Sequence, residues 1–92
     1  MPDLRLKTFH TDPKPAIGYT LRDADTDEVM KYGETIHGER RHTQKYLSEN
    51  NVYMQREAGG TKREMHAWQN QKIIAYKAAH GGKRPPLNNS DY

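Results

Sequence analysis

Ala16-Ile17-Gly18-Tyr19-Thr20-Leu21-Arg22 alternates apolar side chains with small or polar ones, and Val29-Met30-Lys31-Tyr32 follows it after Asp23-Ala24-Asp25-Thr26-Asp27. A two-residue period places Ile17, Tyr19 and Leu21 on one side of a half-buried strand. Short Asp and Thr side chains bond to nearby backbone and favour a turn. The stretch therefore reads as a β-hairpin whose returning strand ends at Gly33.

Working outward, Gly38 to Asn50 is rich in helix formers, with Tyr46 and Leu47 as apolar contacts. Asn50-Asn51 stops this helix, because Asn tolerates the left-handed conformation of a helix end. Val52-Tyr53-Met54 is a short third strand, and Gly59-Gly60 breaks the chain. Thr61 with Glu64 has capping-box spacing, so a long helix starts there, runs to about His80 and ends at Gly81-Gly82. The tail Lys83-Arg84-Pro85-Pro86-Leu87-Asn88 is kept from helix by its prolines and is expected to pack back on the body. Residues 1–15 contain three prolines and no period, so they read as an extended arm or lead-in. Residues 16–92 then form one domain of α+β class, a small three-stranded antiparallel sheet flanked by helices in the order β-β-α-β-α.

Composition bounds the function. The chain has 92 residues, of which 33% are hydrophobic, so the core is thin and leans on six tyrosines. The absence of cysteine excludes disulfides, Cys-based zinc sites and a thiol nucleophile, and fits a reducing compartment. No apolar run is long enough to span a bilayer, and the start carries no signal core, so the chain reads as soluble. Up to Met30 there are four basic and six acidic side chains; beyond it there are eleven and six. This asymmetry, with a pI near 9.2, suits a phosphate-bearing partner as well as a plain solvated surface.

On the second helix, wound at about 100° per residue, Met65, Trp68, Lys72, Ile73, Tyr76 and Ala79 share one face. Gln69 lies inside it, either as a satisfied core amide or as a polar group aimed at a site on the sheet. Glu64, at the edge of that face, is read first as the capping-box carboxylate. Tyr19 and Tyr32 read equally as cross-strand packing and as site residues.

The motifs Ile17-Gly18-Tyr19 and Lys31-Tyr32-Gly33-Glu34-Thr35, Arg41 eight residues after Gly33, and the ending Ile73-Ile74-Ala75-Tyr76…Pro85-Pro86-Leu87-Asn88 keep a distinctive order and spacing. In these the chain resembles the GIY-YIG nucleases over roughly residues 16–88. The chain departs from that pattern at three places. Lys31 stands where the family has the tyrosine of its second triplet, Lys45 stands four residues after Arg41, and the helical glutamate falls near Gln69, with Glu64 the nearest carboxylate. Glutamine is a poor ligand for a hard divalent cation. Either Glu64 serves as a metal ligand through a shift of helix register, or the metal is lost, so Mg²⁺ dependence and metal independence both stay open.

The resemblance implies a phosphodiesterase with Tyr19, Lys31, Tyr32, Arg41, Lys45, Glu64 and Gln69 as catalytic positions, and Arg40, Lys62, Arg63, Lys83 and Arg84 as nucleic-acid contacts. A carboxylate-free site of Lys31, Arg41 and Lys45 favours RNA, whose 2′-hydroxyl is a built-in nucleophile needing only proton transfer and phosphate stabilisation. Histidine exchanges protons near neutral pH, but His37, His42 and His66 have no partner legible in the sequence and read as surface residues. The ending from Gly81 to Tyr92 resembles the C-termini of toxin domains of bacterial polymorphic and contact-dependent inhibition systems. That implies delivery by a larger secreted protein, action in the bacterial cytoplasm and a cognate immunity protein. The readings left open are a toxin ribonuclease acting on tRNA or other structured RNA, a metal-dependent DNA endonuclease of the same fold, and a non-catalytic nucleic-acid-binding module.

Overall fold

A computed structural model describes residues 14–90. The arm expected over residues 1–15 falls outside them except for Lys14 and Pro15, and Pro15 already opens a strand. The elements are β1 (Pro15–Asp23), β2 (Val29–Thr35), a 3-10 turn (Gly38–Arg41), α1 (Gln44–Glu49), β3 (Val52–Thr61) and α2 (Lys62–Ala79). The strands form one antiparallel sheet in the order β2-β1-β3, an α+β arrangement. No helix among the described residues is long and apolar enough to cross a membrane.

The hairpin forms as expected, but β1 is the central strand and is buried on both faces rather than half-buried, with Ala16, Gly18 and Thr20 as enclosed as Tyr19 and Leu21. Tyr19 pairs with Gly33, Thr20 with Tyr32 and Leu21 with Lys31. In the turn, the Asp23 Oδ1 atom accepts the backbone N–H groups of Asp25 and Thr26 at 2.8 and 2.9 Å, and Asp27 takes a left-handed φ of 66°. One face of the sheet carries the core of Tyr19, Leu21 and Val52, packed on Met30, Tyr46, Leu47, Met54 and Leu87. α2 covers the other face and touches all three strands.

Close packing of α2 is possible because Gly18 has no side chain. A Cβ there would lie 2.5 Å from the Trp68 ring, well inside van der Waals contact. The helix begins with the expected capping box: Thr61 Oγ1 accepts the Glu64 N–H at 3.1 Å, and Glu64 Oε1 accepts the Thr61 N–H at 2.9 Å. Its inner face is narrower than the sequence reading. Met65, Gln69 and Ile73, spaced four apart, are the buried positions. Trp68 and Tyr76 flank them half-buried, while Lys72 and Ala79 are exposed.

Two element boundaries are also corrected. The third strand spans ten residues rather than three and passes through Gly59-Gly60, which pair with Ile17 and Ala16. Strand propensity is a weak preference that a committed neighbouring strand overrides. The single helix expected over Gly38–Asn50 is divided: His42 is extended (φ −122°, ψ 141°), and Thr43 caps a new helix by accepting the Tyr46 N–H at 3.0 Å. Asn51, with φ of 53°, ends α1 as its residue type suggests.

The tail packs back as expected, with Pro85 fully buried. It also closes the outer edge of β2. The Leu87 N–H donates to the Met30 carbonyl at 2.8 Å. The Asn88 side chain accepts from the Tyr32 N–H and donates to the Tyr32 carbonyl, each at 3.0 Å. One side-chain amide thus supplies the pair of bonds that an adjacent strand would give.

Gly18→Ala should cost about 1–3 kcal/mol, the usual penalty of overpacking, and lower the melting temperature measured by circular dichroism. An unchanged melting temperature would mean that Trp68 does not lie against this strand.

Candidate functional site

The site is built around Tyr19, only 1% exposed. Its ring crosses from β1 over Gly33, where a Cβ would sit 2.3 Å from the phenolic oxygen. Any side chain at Gly33 would displace the ring. The Tyr19 hydroxyl lies 2.9 Å from His42 Nε2, and the imidazole stacks on Tyr46 with ring centroids 4.8 Å apart. His42 is therefore not a surface residue. The extended backbone between the 3-10 turn and α1 swings it inward, a placement that an unbroken helix would have prevented.

Burial dominates the proton affinities of this pair. It pushes the Tyr19 phenol up to about 12, although the Arg41 charge opposes the shift. It pulls His42 down from 6.5 to about 4, assisted by the charges of Lys31 and Arg41. Both groups are consequently neutral at pH 7 and are joined by the hydrogen bond between the Tyr19 hydroxyl and His42 Nε2. Lys31, half-buried opposite Leu21, is lowered by burial and then by Arg41. Two neighbouring cations in one partly desolvated place create a site for an anion.

Tyr19, Lys31 and Arg41 open onto a cleft of about 290 Å³ at the β2 edge, lined also by Gly33, Glu34, His66, Gln69 and the tail from Leu87 to Ser90, while His42 lines an adjoining hollow that shares Lys31 and Arg41. Of the expected catalytic positions, Tyr19, Lys31, Arg41 and Gln69 meet here. The remaining three lie elsewhere. Tyr32 points to the opposite face, edge-on to Trp68 and Tyr76 with centroids 6.0 and 6.5 Å apart. Lys45 is exposed on α1, outside the cleft walls. Glu64 is occupied in the capping box at the start of α2, so Gln69, 7% exposed, is the α2 side chain brought to the cleft with His66.

The cleft is not free of carboxylate, as the sequence reading had it. Glu34 lines it and receives Lys62 Nζ at 2.9 Å, which neutralises that wall. Of the basic residues expected to contact nucleic acid, Lys62 alone joins the site, through this pair. Arg40, Arg63, Lys83 and Arg84 are exposed and are not among the cleft walls. The residues missed by sequence reading are His42, Glu34 and His66. The triplet Lys31-Tyr32-Gly33 pointed toward Glu34, but nothing local marked either histidine.

A divalent cation does not fit this donor set. Lys31 and Arg41 would repel it, Gln69 is neutral, and Glu34 is engaged by Lys62. Among the described residues no group of three His, Asp or Glu side chains is placed to hold a metal. No family model, curated protein or solved structure matches the chain.

Because the folded protein holds His42 neutral while the unfolded chain takes up its proton, stability should fall as pH is lowered from 6.5 toward about 4. The stabilisation is fully present above the unfolded value and is lost through the folded one. His42→Gln, which keeps an acceptor for Tyr19, should flatten the dependence of melting temperature on pH in that window. An unaltered slope would place the His42 ring in water.

Proposed function

We propose that this protein is a toxin ribonuclease that cleaves tRNA or other structured RNA by attack of a 2′-hydroxyl on the adjacent phosphate. The observation that carries this reading is the neutral, buried Tyr19–His42 pair beside Lys31 and Arg41, the two cations shared by the cleft that Tyr19 lines and the adjoining hollow that His42 lines. The pair supplies a proton acceptor, and the cations supply the attraction for phosphate.

The chemistry follows from these positions. The phosphate binds at Lys31 and Arg41, whose charges stabilise the non-bridging oxygens as negative charge grows on them. The 2′-hydroxyl proton passes to the Tyr19 oxygen while the Tyr19 proton passes to His42 Nε2, so no phenolate with its raised pKa has to form. Arrival of the phosphate also offsets the two cations that depress His42 after burial. The imidazole thus becomes a stronger base when substrate is present. Gln69, an amide on the cleft wall, is suited to hydrogen-bond the ribose or a base edge.

The toxin-like C terminus extends the proposal to a domain delivered into a bacterial cytoplasm and silenced by an immunity protein covering the cleft. A cell that maintains the intact gene without any neighbouring protective gene would count against that extension.

The central test is incubation with total tRNA and with plasmid DNA, each with magnesium and with excess chelator. Discrete RNA fragments ending in 2′,3′-cyclic phosphate should form in chelator. Plasmid nicking that needs magnesium, without RNA cleavage, would overturn the reading. Arg41→Ala should lower the cleavage rate by about 10²–10³-fold, the usual loss for one electrostatic donor to a developing oxyanion. Since Arg41 is exposed, its melting temperature should match that of wild type; full activity in a folded variant would remove Arg41 from the site.

A further inference from the structure

Transesterification by a 2′-hydroxyl needs a second proton transfer. The departing 5′-oxygen is a poor leaving group unless it is protonated as the P–O bond breaks. The attacking and leaving oxygens lie roughly in line across the phosphorus, so the acid must approach from the side opposite the base.

The cleft is walled from both faces of the sheet. Gly18 faces Trp68 of α2, and successive strand residues point to opposite faces. Tyr19 therefore reaches the β2 edge from the face away from α2. His66 stands on α2, three residues before Gln69, and lines the same cleft from the other side.

Among the described residues, the remaining walls lack a suitable proton donor. The Tyr19 hydroxyl is committed to His42 in the relay, which leaves it no proton for the departing oxygen. A guanidinium does not deprotonate in proteins, and amides do not act as acids near neutral pH, which sets aside Arg41, Gln69 and Asn88. Glu34 is already engaged by Lys62 Nζ at 2.9 Å. Lys31 is needed as a cation against the phosphate. An imidazole is the side-chain type that gives and takes protons at working pH.

We infer that His66 is a catalytic residue, the general acid that protonates the leaving 5′-oxygen of an RNA substrate. The inference rests on the ribonuclease reading of the cleft and adds a residue to it. In the full step the 2′-oxygen–phosphorus bond forms and the phosphorus–5′-oxygen bond breaks. The 2′-hydroxyl proton ends on His42 by way of Tyr19, and the His66 proton ends on the 5′-oxygen. The products are a 2′,3′-cyclic phosphate and a 5′-hydroxyl, with no further reactant consumed.

The test compares two oligoribonucleotides of one sequence, one ordinary and one with sulfur replacing the bridging 5′-oxygen at the cleaved linkage. A thiolate leaves without protonation. His66→Ala should cleave ordinary RNA about 10²–10⁴-fold more slowly than wild type, the span of general acid catalysis, yet cleave the sulfur-bridged substrate within a few-fold of wild type. Arg41→Ala should stay slow on both, because charge still develops on the non-bridging oxygens. His66 is exposed, and an unchanged circular-dichroism melt would verify that the variant folds. Equal impairment of His66→Ala on the two substrates, or wild-type rates on ordinary RNA, would overturn the inference and leave the ribonuclease reading standing. Wild-type protein that cleaves neither substrate would overturn both.

Discussion

The phenol ring of Tyr19 lies across the one position in the returning strand where a side chain is missing, and its hydroxyl meets a histidine that follows a break in the helical segment. Three features of the chain depend on that contact. Gly33 must stay without a Cβ, His42 must leave the helical path, and α1 must restart with its own cap at Thr43. The core is small, with Tyr19, Leu21 and Val52 at its centre on this face. A polar contact placed inside so small a core is bought with burial elsewhere, chiefly Leu21 and Ile73, each at 0% exposure and each worth about 1.5–3 kcal/mol.

The electrostatics of the cleft are complementary to that contact. Among the described residues, keeping two titratable groups neutral and buried beside Lys31 and Arg41 leaves the positive charge there without a paired carboxylate, while Glu34 and Lys62 cancel one another across the cleft. A ligand carrying negative charge relieves the repulsion between the two cations. Water does so less well, because part of the site is desolvated. The same arrangement disfavours a bound divalent cation, and the amide of Gln69 at the cleft fits this balance better than a carboxylate would.

The edge of β2 is where fold and site meet. A three-stranded sheet in the order β2-β1-β3 has two outer strands, and exposed strand edges invite unwanted pairing. The tail covers part of this one through Leu87 and Asn88 and then forms a cleft wall through Ser90. Closing the edge and shaping the cleft are thus done by the same residues. The separation of Asn88 from Tyr32, 56 positions, makes the completed cleft a property of the whole domain.

Much of the fold was legible in the sequence because its signals are local. The period of two over Ile17, Tyr19 and Leu21, the Asp-rich turn, the Thr61–Glu64 capping box and Gly81-Gly82 each act within a few residues, and each forms as its chemistry requires. Part of the candidate site was anticipated too, since Tyr19, Lys31, Arg41 and Gln69 were expected from motif order and spacing. What tertiary structure alone decided involves partners distant in the chain. The third strand extends through Gly59-Gly60 because β1 pairs with it there. Tyr32 turns away and Glu64 stays in its cap because the hairpin register and helix start are fixed by neighbours. His42 is drawn inward by a tyrosine 23 residues earlier. Sequence by itself determined the hairpin, its turn and the helix caps, because backbone preferences act over a few residues. Folding determined which polar groups face one another, because their energies depend on burial and distance, and neither exists until the sheet, helices and tail have packed.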